Sequence, residues 1–314
     1  GRGGLDRMCS LSGGPALKNH ALWLCAGLLT LAACGKSEPG LDQTGPQPDL
    51  PEQRQTLLPP MKIATPAGWD GEKPTAPRGF TVTALATGLA IPRQTLVLPN
   101  GDILVAEGSG GGAPALRPKD VIATYIKAMG KSSVKGGNRV TLLRDADNDG
   151  RAELRTSFIT GLNAPYGLAY VDGQIYVADQ DALVRFPYRE GVTRITSPGV
   201  ELLKLPSHIN HHWTKSLTAG PDGSRLYVGI GSNSNVGERG MGVEQDRAVI
   251  WEIDRQSGMH RTYASGIRNP TALAIEPRTQ RLWAVVNERD ELGPQLVPDY
   301  LTSVRPGAFY GWPY

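Results

Sequence analysis

Three histidines crowd one short stretch, His208-Ile-Asn-His211-His212-Trp-Thr-Lys-Ser-Leu217. Imidazole exchanges a proton near neutral pH, so such a stretch suits general acid–base work. A metal site is the second reading, although no nearby carboxylate completes a convincing ligand set. A surface loop is the third. A second chemical sequence is Asp145-Ala-Asp147-Asn-Asp149-Gly150. Its alternating carboxylates and sixth-position Gly match the front of a calcium loop, but position twelve is Thr156 and the flanks read as strands, not helices. It is either a hairpin tip holding a structural Ca²⁺ or an Asp-rich turn. Arg268-Asn269-Pro270 and the acidic run Asn287-Glu288-Arg-Asp-Glu291 complete the set.

The elements that must position these residues show in a repeat. From Gly79 onward a Gly-aliphatic entry and a Pro or polar residue lead into an apolar run, a turn and a second apolar run. Gly88-Leu-Ala-Ile-Pro92 precedes Thr95–Leu98, the turn Pro99-Asn-Gly101 and Ile103–Ala106. Gly161-Leu-Asn-Ala-Pro165 precedes Gly167–Tyr170, Asp172-Gly173 and Ile175–Ala178. Ser216–Ala219 precedes Pro221-Asp-Gly223 and Arg225–Gly229, and Gly266-Ile-Arg-Asn-Pro270 precedes Ala272–Ile275 and Arg281–Val285. Asp-Gly and Asn-Gly turns between alternating runs are hairpin signals. The later units recur about every 50 residues, the spacing of propeller blades. A β-sandwich with similar turns is the alternative. The longer first step holds an insertion at 108–137, where Val121–Met129 is predicted to be a short helix.

Composition narrows the partners. Among 314 residues, 39 Gly and 25 Pro favour tight turns over long helices. A net charge of +3, with cations scattered among acids, gives no footprint for nucleic acid. Residues 1–7 read as an upstream extension and 8–34 as a signal peptide. Its apolar run 21–33 is too short to span a bilayer. The run ends Leu31-Ala-Ala-Cys34-Gly35, which resembles the lipobox of bacterial lipoproteins; Cys34 would carry lipid and anchor the protein to the cell-envelope membrane, facing the periplasm. A plain secretory signal is the alternative. With Cys9 and Cys25 in the signal, the mature domain holds no thiol pair. Residues 35–77, rich in Pro, read as a tether.

The ordered motifs carry a resemblance over 79–314. His208–Leu217 with Gly220-Pro-Asp-Gly223 and Tyr227-Val-Gly-Ile-Gly-Ser-Asn233, then Ser265-Gly-Ile-Arg-Asn-Pro270, is similar to the soluble quinoprotein glucose and aldose dehydrogenases. Val286–Gly293, Pro298-Asp-Tyr300 and Phe309-Tyr-Gly-Trp-Pro-Tyr314 look most like the L-sorbosone dehydrogenase branch. The resemblance implies an all-β, six-bladed propeller, C-terminally incomplete in this chain, that oxidises a sugar or sugar aldehyde with pyrroloquinoline quinone (PQQ) and Ca²⁺ and passes electrons to an acceptor. It implies His212 as base and cofactor contact, with His211 as runner-up or substrate contact. Asn233 is implied beside the substrate, and Arg268 and Asn269 on the cofactor. The planar guanidinium fork suits a carboxylate or quinone oxygen, though a structural ion pair is the plainer role for Arg268.

Carbonyl ligands for the calcium fall near Asn287 and Glu288, where Asn-Glu-Arg-Asp replaces the Gly-Pro-type turn of the glucose enzymes; a solvated acidic turn is the alternative. Where those enzymes carry a Gln in the second blade, this chain has Leu162 with Asn163 beside it. Asp145, Asp147 and Asp149 form the second metal candidate. A calcium-dependent propeller lactonase and a non-enzymatic binding propeller of the envelope are the rival readings, since the fold hosts all three.

Overall fold

The computed structural model describes residues 40–42, 44–53, 71–112, 114, 118–129, 135–293 and 295–314. The signal peptide, Cys34 and most of the tether lie outside these residues. Among the described residues, no helix is long and apolar enough to cross a membrane.

The described strands form four antiparallel sheets, each a meander in chain order. The first sheet is β1 (Pro92–Val97), β2 (Ile103–Glu107), β3 (Arg139–Arg144) and β4 (Leu154–Ile159). The second is β5 (Gly167–Val171), β6 (Gln174–Ala178), β7 (Ala182–Pro187) and β8 (Val200–Lys204). The third is β9 (Leu217–Ala219), β10 (Arg225–Ile230), β11 (Val249–Asp254) and β12 (His260–Ser265). The fourth has three strands, β13 (Pro270–Ile275), β14 (Leu282–Val286) and β15 (Tyr300–Val304). The predicted hairpins are thus the inner halves of four propeller blades, and the outer strands complete them. The predicted helix is present and one turn longer, as α1 (Pro118–Met129); Pro118 is tolerated because the first turn has no partner for its missing N–H.

Neighbouring blades share cores, because a four-stranded sheet has two faces to cover. Leu104, Leu142 and Phe158 of the first pack with Leu168, Ile175 and Val177 of the second. Ala169, Tyr176 and Leu183 meet Leu217, Val228 and Trp251 of the third. Ile250 and Tyr263 meet Leu282, Ala284 and Val286 of the fourth. The first strand of each blade is innermost, and packing runs β1 to β5, β5 to β9 and β9 to β13. Gln94 ties three of them together, its Nε2 donating to the carbonyls of Leu168 and Leu217 at 2.9 and 3.0 Å. Tyr166, just before β5, donates its hydroxyl to the Thr271 carbonyl on β13 at 2.9 Å.

This alignment gathers the starts of the inner strands on one face. The β2–β3 insertion with α1, the β10–β11 connection and the β14–β15 connection open onto that face. The Asp-Gly and Asn-Gly turns, and the Asp145–Gly150 tip between β3 and β4, lie at the opposite ends of the sheets.

Candidate functional site

Each predicted residue at 208–233 and 268–288 lies on the inner-strand entry face. Two glycines permit the approach. A Cβ on Gly229 would meet Ser216 Oγ at 2.3 Å and the Pro270 carbonyl at 2.8 Å. A Cβ on Gly231 would stand 2.5 Å from both His212 Cβ and Asn269 Oδ1. The Gly-Ile-Gly end of β10 therefore brings the histidine segment against the Arg268-Asn269 corner.

His212 is half-buried, and its surroundings fix the tautomer. Its Nδ1 lies 2.9 Å from both the carbonyl and the hydroxyl of Ser232. The Ser232 hydroxyl proton already goes to the Ser234 carbonyl at 2.6 Å. Both Ser232 oxygens therefore act as acceptors, Nδ1 carries the proton, and Nε2 bears the lone pair. Ser234 in turn donates to the buried Glu244 carboxylate, which also takes the Asn233 N–H at 2.7 Å. Burial first, then the Arg268 guanidinium and His211, hold His212 well below the ordinary imidazole range. It is neutral and ready to accept a proton. His211 is exposed, its ring edge-on to His212 at 4.6 Å.

Asn233 sits deeper than a substrate contact requires, at 2 % exposure. Its amide donates to the Val243 carbonyl at 2.8 Å, and its Oδ1 is buried with no partner. Here it braces the β10–β11 connection.

Arg268 is 3 % exposed and partly committed. Nε and Nη2 donate to the Asn235 carbonyl and Oδ1 at 3.0 and 2.8 Å, and Nη1 to the Asn287 carbonyl at 3.2 Å. Asp290 lies 3.5 Å from Nη2. Three of the five guanidinium N–H groups are thus held by the protein, Asp290 pairs with the cation at Nη2, and one N–H on each Nη makes no hydrogen bond among the described residues. Asn269 receives the Thr214 hydroxyl at 3.2 Å.

The Asn287 carbonyl faces the Arg268 cation, and Asn287 Nδ2 and Glu288 N are spent on Asp299 at 2.6 and 2.8 Å. This pair does not fit a calcium ion in that arrangement, since a divalent cation would share its ligand with a guanidinium. The carboxylate oxygens of Asp145, Asp147, Asp149 and Glu153 gather within 4.8 Å of one another. Their hairpin tip is at the opposite ends of the sheets from His212.

Three residues that the motifs did not flag join the face. Trp213 carries the Arg93 guanidinium over its ring at 5.0 Å and meets Tyr166 edge-on at 5.8 Å. Ala164, Gly110 and Gly111 of the neighbouring segments crowd the same place, the two glycines lying where any Cβ would press on the indole. The signal was available: Arg93 and Tyr166 directly follow the Pro that closes the Gly-aliphatic entry, and Trp213 directly follows His212. Together the face offers a lone-pair imidazole, two cations and a rigid aromatic plane, which fit a planar polyanionic quinone beside an alcohol or hydrated aldehyde.

The model of the TrAA12-like family matches residues 74–300. Among solved structures, the chain is similar to the carbohydrate-active family AA12 enzyme of Trichoderma reesei, at 18 % identity and a TM-score of 0.56, over 79 % of this chain and 58 % of that one. It is also similar to the PQQ domain of pyranose dehydrogenase from Coprinopsis cinerea (18 % identity, TM-score 0.51, 82 % and 54 % covered). A third is the PQQ-bound aldose sugar dehydrogenase of Streptomyces coelicolor (20 %, 0.50, 74 % and 65 %). At these identities the likeness concerns the fold, and the chain spans just over half the length of the first of these proteins. No curated protein sequence matches it.

Proposed function

The chain belongs to the TrAA12-like family, and from that premise we propose that it is a PQQ-dependent oxidoreductase of sugars or sugar aldehydes, of the aldose or sorbosone type. The observation that carries the reading is His212: neutral, with Nδ1–H anchored on Ser232, and with its Nε2 lone pair free of that anchor beside Arg268. Two of the similar proteins, a pyranose dehydrogenase PQQ domain and a PQQ-bound aldose sugar dehydrogenase, support it.

PQQ, when bound, supplies the two-electron oxidant. His212 Nε2 takes the hydroxyl proton of the sugar as the C–H hydride leaves, and the charge that forms on the imidazole is spread into the Ser232 oxygens. Arg268 and Arg93 bring positive charge to a tricarboxylate, with the uncommitted N–H groups of Arg268 as direct donors. Asn269 places its amide at the same corner. The Trp213 plane, fixed by Arg93 and Tyr166, offers a stacking surface. His211, exposed at the rim, is positioned to contact substrate. The same reading takes the four described blades as part of a six-bladed ring. Lipid attachment at Cys34 in the envelope, an electron acceptor, and a calcium ion at the Asp145-Asp147-Asp149 tip accompany the reading, and no step above depends on them.

Dye-linked dehydrogenase activity of the protein at its full natural length, with and without added PQQ, tests the proposal on aldoses and on sorbosone. Activity that requires PQQ and falls by about 10²–10⁴-fold in His212→Ala supports it. Calcium-dependent lactone hydrolysis without PQQ would replace it with the lactonase reading, and neither activity would leave a binding propeller.

A further inference from the structure

The most anomalous groups outside the mechanism are two cations beneath the histidine segment. Lys215 is fully buried and Arg247 is 4 % exposed, and neither forms an ion pair among the described residues. Unpaired buried charges are costly unless their hydrogen bonds are well satisfied. Arg247 Nε is buried without a partner among these residues, and the donors that are satisfied converge on one segment. Arg247 Nη1 donates to the Pro206 carbonyl at 2.6 Å and to Asn210 Oδ1 at 3.1 Å, and Nη2 to the His212 carbonyl at 2.9 Å. Lys215 Nζ donates to Asn210 Oδ1 at 3.2 Å and to the Trp213 carbonyl at 3.0 Å.

The backbone between those anchors is one that a free loop would not keep. Ile209 and Asn210 are consecutive residues at φ of 61° and 55°. A β-branched residue in the left-handed region is strained by about 1–3 kcal/mol and persists only where its surroundings over-determine it. Asn210 supplies that: 5 % exposed, it accepts from both cations and donates to Gln180 Oε1 at 3.2 Å on the second blade. Gln180 continues to Asn163, and Asn163 to Asp181.

We infer that Arg247, Lys215 and Asn210 form a buried cationic clamp that fixes the backbone of residues 206–213 and so aims the His212 imidazole and the Trp213 ring. They are positioning residues, acting through the loop. That the loop needs the clamp stands on geometry alone; that this serves a base rests on the proposed function. Burial and mutual repulsion push Lys215 well below its ordinary range, and burial brings Arg247 down to about 10, opposed by Glu244. Asp181 is the carboxylate that favours the Lys215 charge. The clamp also adds its charge to those of Arg268 and His211 around His212.

The test reads the His212 ring directly by ¹⁵N NMR of histidine-labelled protein, with the signal assigned by its loss in His212→Gln. The native ring is expected to show one tautomer with the proton on Nδ1. Arg247→Met, which removes three anchors, is expected to mix the tautomers, and Arg247→Lys to restore the single form in part. Lys215→Met replaces a buried ion by an apolar chain of similar length, a change that folds tolerate. It is expected to disturb the same signal, and it decides the matter if Arg247→Met does not unfold cooperatively. Folded Arg247→Met or Lys215→Met protein with an unchanged His212 spectrum overturns the inference. In active full-length enzyme, Arg247→Met should lower kcat by about tenfold to a hundredfold, the scale of a 1 Å misplacement. If the native protein lacks PQQ-dependent activity, the functional reading falls while the NMR result still decides the clamp.

Discussion

Gly231→Ala is the sharpest probe of how the blades assemble the site. The backbone at Gly231 is in a region any residue adopts, since it is absent from the positive-φ residues, so the substitution carries no dihedral penalty and its whole effect is steric. The added methyl would sit 2.5 Å from Asn269 Oδ1, 2.5 Å from His212 Cβ and 3.2 Å from Asn269 Cγ. Ordinary carbon contacts begin near 3.5 Å, so the two partners must together retreat by about 1 Å each. Neither is a flexible chain end: His212 Cβ is one bond from a clamped backbone, and Asn269 Oδ1 is held by Thr214. Overpacking of this kind costs about 1–3 kcal/mol, or roughly 2–12 °C in Tm for a chain of this size. A 1 Å displacement of the base costs about a hundredfold in rate. Gly242→Ala is the matched control in the same connection, with no neighbour within 4 Å of its Cβ. Thermal melts and dye-linked kcat, measured on both variants, separate the outcomes. Native Tm and native kcat in Gly231→Ala would refute the claim that Gly231 sets the His212–Asn269 approach.

Asp179 should oppose stability as pH rises. Burial lifts its folded value from 3.8 to about 7, so the folded state holds the proton more tightly, and stability falls between about pH 4 and pH 7. Asp179→Asn should remove that slope and gain at most about 4 kcal/mol at pH 8, read by urea denaturation at pH 5 and pH 8; equal slopes would contradict it. Asp102 carries the opposite sign: its hydrogen bonds to Arg144 hold it below 3.8, so its contribution is present above that pH and fades as pH falls through the folded value. Asp102→Asn should cost about 1–3 kcal/mol at pH 7 and progressively less in acid, by the same denaturation series. Tyr166→Phe removes the hydroxyl link to Thr271 and should cost about 1 kcal/mol of stability, read as a Tm lowered by about 2–4 °C, without abolishing turnover; an unchanged melt would contradict it.

What could be read from the sequence, and what could not, divides along the distance over which each feature is decided. The blade hairpins were legible because Asn100-Gly101, Asp172-Gly173 and Asp222-Gly223 fix the turn locally, and alternating apolar residues fix the faces. The helix was legible over 121–129, a stretch free of Pro and Gly, though not its first turn from Pro118. The His211-His212 pair could be placed at a blade entry, but its tautomer could not, because Ser232 reaches Nδ1 from twenty residues away. Arg268 read as an open fork; Asn235, thirty-three residues earlier, occupies one edge of that fork through Nε and Nη2. Lys215 is the instructive failure. A lysine between Thr and Ser reads as a solvated side chain, since Lys is among the residues least often fully buried. Arg247, in the β10–β11 connection, joins Lys215 on Asn210 only when the third blade folds. A cation one residue ahead of a buried inner strand has nowhere to go but beneath the loop before it. Entry to β9 at the wholly buried Ser216 and Leu217 was therefore the one local hint that the preceding Lys215 would be drawn inside with them.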